Sequence, residues 1–172
     1  ADWSDALTFG GTVGVLYQVN PRLILGGGVL VNSQIEDSVQ VLPVLTLIWH
    51  PSAQLAIRAG YFNLGVQGGP GAEITWVLSA YAELTAGVQY HSRRFRLSDH
   101  PSAVVPDGVG EDSYIPVYVK LVWKAAPQVE VVLLGGVAVA GELVLESSTG
   151  VELASDDYDP APLIGMRVNF NF

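Results

Sequence analysis

The chain has 172 residues, 49% of them hydrophobic and only 15% charged, with a formal net charge of −9 and no cysteine. Average soluble domains carry roughly 25% charged residues, and phosphate recognition needs clustered Lys and Arg, so the balance argues against nucleic acid as a partner. The missing cysteines exclude a disulfide framework, a thiolate nucleophile and a Cys-ligated metal, and no apolar run approaches the roughly 20 residues of a membrane-spanning helix.

The opening ADWSD, which lacks Met, reads as the start of an exported chain after loss of a signal peptide. From there the pattern is β throughout: alternating apolar and polar residues, rich in β-branched and aromatic types, punctuated by Pro, Gly, Asn and Ser. The alternation predicts nine strands in one domain over residues 1–172: Thr8–Val19, Leu23–Gln34, Val39–Trp49, Leu55–Phe62, Ala72–Leu78, Ala82–Arg96, Tyr114–Trp123, Val129–Leu145 and Leu163–Phe172. In the third, Pro43 cannot donate to a ladder and marks an expected bulge that shifts the phase.

Two kinds of connection alternate along the chain. NPR, HPSAQ, SAY and KAAPQ are tight, whereas IEDS, NLGVQGGPG, SDHPSAVVPDGVGED and SSTGVELASDDYDPAP are mostly longer and acidic. Short turns at one end and longer loops at the other are the pattern of outer-membrane barrels. Each strand that runs into the short-turn end carries an aromatic there: Tyr17, Trp49, Trp76, Trp123 and finally Phe172. Five such residues make an aromatic belt if those ends share one level at a water–lipid interface. A soluble sandwich core would need no common level.

Strand phase then divides the faces. Leu84, Ala86, Val88 and Tyr90 turn outward with Ile74, Trp76, Val117 and Val119, while Glu73, Glu83, His91, Arg93 and Lys120 turn inward. Arg58, Glu130 and Arg167 also fall inside. The inward charges are Arg58, Arg93, Lys120 and Arg167 against Glu73, Glu83 and Glu130. That near-balance predicts a lumen network of paired side chains plugging the interior, because buried unpaired charges cost several kcal/mol. A ring of one sign would instead indicate an ion-selective pore.

Catalytic and metal readings are weak. His91 and Ser92 are adjacent on a strand and point to opposite faces, so they cannot act as a pair. His50 falls in a short turn and His100 in a long loop. The acidic cluster Glu152, Asp156, Asp157 and Asp159 offers oxygen ligands but lacks EF-hand spacing and reads as solvated loop charge. No cofactor, metal or enzymatic activity is expected. Arg94 and Arg96 continue an outward face past Tyr90, at a height where outer-leaflet phosphates lie, and are the candidate lipopolysaccharide contacts; their rival role is pairing with acidic loops.

The final GMRVNFNF alternates Met166, Val168, Phe170 and Phe172 with Arg167, Asn169 and Asn171. This ending resembles the carboxy-terminal signal read by the bacterial barrel-assembly machinery. The stretch from Leu55 to Phe172, including YHSRRFRL and DPAP, resembles uncharacterised bacterial outer-membrane β-barrel proteins. The resemblance implies an antiparallel transmembrane barrel in the outer membrane; the nine segments predict eight to ten strands, and the expected contacts are lipid and lipopolysaccharide. The expected role is structural or one of interaction; a narrow pore, a soluble lipocalin-like binder and a lipid-active enzyme are the alternatives. Bacterial barrels have even strand numbers, so nine segments leave a seam open to a protein partner.

Overall fold

Alternating strands joined by tight turns pair with their sequence neighbours, and the structure, a computed structural model, follows that rule. It describes residues 9–33, 39–63, 68–97, 105–106, 108–147 and 149–170. These form one antiparallel sheet of eleven strands, with no helix among the described residues. The strands are β1 (Gly10–Asn20), β2 (Leu23–Ser33), β3 (Val39–Ser52), β4 (Leu55–Asn63), β5 (Gly68–Ser79) and β6 (Ala82–Gln89). They continue as β7 (His91–Arg96), β8 (Val109–Ala126), β9 (Val129–Glu146), β10 (Glu152–Tyr158) and β11 (Ala161–Phe170). Two-residue turns at Pro21–Arg22, Ala53–Gln54, Ala80–Tyr81 and Pro127–Gln128 all lie at one end.

The sheet runs β1-β2-β3-β4-β5-β6-β8-β9-β10, with β7 beside β8 and β11 beside β9. β6 and β7 keep one register against β8, from Ala82↔Trp123 to Arg96↔Val109. β10 and β11 likewise keep one register against β9, through Tyr158↔Gly141 and Ala161↔Ala138. The eleven strands therefore lie on nine lines.

Backbone chemistry explains the interruptions. The Tyr90 N–H donates to the Pro70 carbonyl at 2.8 Å, but Pro70 has no N–H to return. On the other side Lys124 donates to Tyr81, which sets even-numbered residues of β8 to bond toward β6. Pro116 falls at such a position, opposite Gln89. Two prolines thus withhold donors from adjacent residues, and the ladder lapses at Tyr90. Between β8 and β9 the register shifts from Ser113↔Glu142 to Ile115↔Val139, so β9 carries one extra residue. Ala140, at the bulge, has a φ of 50°, the left-handed region that costs a residue with a Cβ.

Three expectations change. Pro43 marks no bulge, because β2 and β3 stay in register from Leu23↔Trp49 to Ser33↔Val39. The His50 N–H donates to Arg22 at 2.8 Å, so even residues of β3 bond β2 and odd ones, Pro43 included, face β4. The loss falls there: β3 and β4 pair only from Ser52↔Leu55 to Leu47↔Ala59. Second, the acidic stretch read as a long loop after Glu146 contains β10, whose ladder with β9 overrides the poor strand propensity of Asp157 and Asp156. Third, β8 and β5 begin earlier than read, at Val109 and Gly68, and His50 lies within β3 rather than in a turn.

The described sheet is not closed. Among the described residues β1 pairs only with β2, and the β10–β11 line only with β9. Both faces of β1 are exposed along its length.

Replacing Ala140 by glycine removes the left-handed penalty without changing any side-chain contact that the ladder needs. Ala140→Gly is expected to raise stability by about 1 kcal/mol, read as a higher urea midpoint of unfolding. A lower midpoint would mean that the bulge geometry is not the one described.

Candidate functional site

A lone sheet can bury one face only by curling, and the buried face here is called inner. Tyr118 is 2% exposed and Glu73 7%, whereas Ile164 on the opposite face is 92% exposed. The outer face is a continuous apolar surface: Val13 and Val15 on β1, Val29 and Val31 on β2, Val41 and Leu45 on β3, Ile74 on β5, Val88 on β6, Val117 and Val119 on β8 and Met166 on β11, all exposed. On β8 this face is apolar from Trp123 to Ile115 and then turns polar at Ser113 and Glu111. On the β6–β7 line it changes after Tyr90, at Ser92 and Arg94.

Tyr17, Trp49, Trp76 and Trp123 are exposed on the outer face, and Phe172 lies outside the described residues. Their registers follow a rule. Tyr17 is opposite Leu25 and, through it, Leu47, two residues above Trp49. Trp49 leads through Ile57 to Ile74, two above Trp76. Trp76 leads through Leu84 to Leu121, two above Trp123. Trp123 leads through Val131 to Val168, two above Phe170. Each aromatic is offset by two residues for every two strands crossed, with Phe170 as the fifth in the series.

The inner face has two halves. Over β4 to β9 it is polar and partly buried. Glu73 accepts hydrogen bonds from the Tyr118 hydroxyl at 2.6 Å and from Lys120 Nζ at 3.2 Å. Gly87 makes this possible, since a Cβ there would lie 2.6 Å from the Tyr118 ring. Thr75 and Thr85 share a hydrogen bond of 2.9 Å, His91 stacks on Tyr114 with centroids 5.3 Å apart, and Asn169 donates to Glu130 at 2.8 Å. The charges thus group locally. Arg58 stands opposite Glu73 in the register, Arg93 opposite Asp112, Arg167 opposite Val132 and Glu83 opposite Val122, and among the described residues no ion pair joins these four to the Glu73 group. Over β2 and β3 the inner positions beyond His50 are Ile24, Gly26, Gly28, Leu30, Asn32, Gln40, Leu42, Val44, Thr46 and Ile48. None is charged, a division that a lipid-or-lumen rule applied only to the later strands misses.

Above the apolar band, β7 to β10 form a polar rim. Arg94 on the outer face pairs with Glu111 at 2.7 Å and with Glu146, while Ser92 donates to Glu111 at 2.6 Å. Its guanidinium is engaged by strand carboxylates, and Arg96 lies exposed on the same face. On the inner side Tyr158 covers Gly141 and donates to Asp112 at 2.9 Å. Partial burial and that bond hold the Tyr158 phenol above its ordinary pKa. Ser92 and the buried His91 face opposite ways, His100 lies outside the described residues, and among those described no cluster of three His, Asp or Glu is placed to hold a metal ion.

No family model, curated protein or solved structure matches this chain.

The Glu73 group should couple energetically. Lys120→Met is expected to cost about 1–3 kcal/mol, because the buried Glu73 carboxylate loses a partner; Asp157→Asn on exposed β10 should stay within about 0.5 kcal/mol. A double-mutant cycle on urea unfolding with Glu73→Gln should give a nonzero coupling. Strict additivity would remove the pair from the energetics.

Proposed function

We propose that this chain forms the wall of a small antiparallel β-barrel that spans the bacterial outer membrane, with a structural or binding role rather than an enzymatic one. The observation that carries the reading is the two-residue stagger of the aromatics. With strands roughly 4.8 Å apart and a rise of roughly 3.3 Å per residue, an offset of one residue per strand brings them to one level only if the strands tilt by about 35°. Transmembrane barrels tilt by roughly 35–45°. At that tilt the eight residue steps from Trp123 to Ile115 rise about 22 Å, close to the roughly 25 Å of an outer-membrane apolar band. The height thus follows from the tilt that a common level requires, and both suit one geometry.

The rivals fit less well. A soluble binder would expose an apolar surface across every line of its sheet, a liability in water. A pore needs an aqueous lumen, whereas side chains such as Tyr118, Gln89 and Thr85 fill the inner face. Lipid surrounds the band, with lipopolysaccharide beside the Arg94–Arg96 rim, and the barrel-assembly machinery is the partner during insertion. β1 and β11 both run toward the short-turn end, so they cannot pair antiparallel with each other. One strand running the opposite way would pair with both, and unpaired edges in lipid cost several kcal/mol per group. A partner that supplies that strand completes the wall.

Val88→Arg and Val119→Arg should each weaken folding into lipid vesicles by roughly 2–4 kcal/mol, the cost of a cation on the lipid face. Urea-titrated folding with a gel assay for heat-modifiable migration measures it. Equal folding of both variants and wild type, or full solubility without detergent, would overturn the membrane reading.

A further inference from the structure

The β3–β4 boundary is the weakest line in the wall. Its ladder ends at Leu47↔Ala59, and among the described residues no register joins the strands beyond that point. Two residues account for this. Pro43 lacks the N–H that would face β4. Gly60 has a φ of 148°, and a Cβ there would lie 2.8 Å from the Leu45 carbonyl oxygen. The ladder is therefore interrupted by backbone chemistry rather than by a bulky side chain, although Gly60 itself still lies close against Leu45.

A cleft of about 620 Å³ opens at this break. Its lining mixes the two faces: Pro43, Leu45 and Tyr61 belong to the outer face, Val44, Thr46 and Gly60 to the inner one. It therefore borders residues of both faces, beside the uncharged half of the inner face. Three observations define its occupant. No lining residue is charged, so nothing in the cleft can hold a carboxylate or phosphate. Pro43 to Leu47 lie two to six residues above Trp49, about 5–16 Å above the aromatic belt at the tilt given above. The volume falls within the roughly 300–1,000 Å³ of ligand sites.

We propose that the cleft seats one hydrocarbon chain of a bilayer lipid, which enters sideways between β3 and β4 while its headgroup stays at the interface. This rests on the membrane reading. A free fatty acid would have to bring its carboxylate to a site with no cation, so the bilayer is the source. The chain covers the inner position Val44, which is only half-buried by the protein itself. Pro43 also leaves one fewer backbone donor stranded against hydrocarbon.

The test is photo-crosslinking of the whole chain folded into dioleoylphosphatidylcholine vesicles containing a phospholipid with a mid-chain diazirine, with labelled residues located by mass spectrometry. The expected result is labelling of inner-face Val44 and Thr46 besides outer-face Val88 and Val119. Val44→Trp should abolish the inner labels and keep the outer ones, and Thr46→Phe should do the same if Val44→Trp fails to fold. Outer labels without inner ones in the wild type would overturn the cleft and leave the membrane reading standing. Absence of both would overturn the membrane reading itself. Inner labels from a diazirine fatty acid but not from the phospholipid would overturn the bilayer source.

Discussion

In a single sheet each backbone donor needs an acceptor on the next strand, and the places where this fails shape the whole protein. Four prolines mark them. Pro70 and Pro116 flank Tyr90 from either side and divide one strand line into β6 and β7. Pro160 lies in the gap between β10 and β11, across from the bulge at Ala140. Pro43 faces β4 and leaves the ladder there unmade. Proline is confined to positions where a missing donor is tolerated, so its placement records which inter-strand lines are held by hydrogen bonds and which by side chains.

Where the ladder is unbroken, it imposes a constant stagger, and the aromatics follow it. That regularity ties a local pattern of residues to a global tilt without reference to any closed shape. The inner face adds a second division. The polar half around Glu73, Tyr118 and Lys120 is satisfied by its own side chains, and the half over β2 and β3 is uncharged, mostly hydrocarbon and glycine with Asn32, Gln40 and Thr46 among them. One wall therefore carries a self-contained polar filling beside an apolar recess, and the recess lies next to the least-paired line.

Much of this was legible in the sequence. Period-two alternation located all nine lines, because a buried face fixes strand phase strongly. The outward phase of Tyr17, Trp49, Trp76 and Trp123 was readable for the same reason. β10 was not, since Glu152, Asp156 and Asp157 disfavour strands and only pairing with β9 makes them one. The effect of Pro43 was misplaced, because sequence shows a missing donor but not which neighbour it faces. The Glu73–Tyr118–Lys120 group needed the register, and the role of Gly87 in admitting the Tyr118 ring needed coordinates. The cleft at Gly60 had no sequence signal beyond a proline and a glycine seventeen residues apart.

The central claim is that the staggered aromatics share one depth in a bilayer. Single-tryptophan variants keeping only Trp49, Trp76 or Trp123 can be folded into vesicles whose lipids carry bromine at graded depths, and fluorescence quenching then reports each depth. The account predicts the same depth for all three, near one headgroup region. Depths stepping by about 7 Å from one tryptophan to the next, as an untilted sheet would give, or no quenching at all, would contradict it.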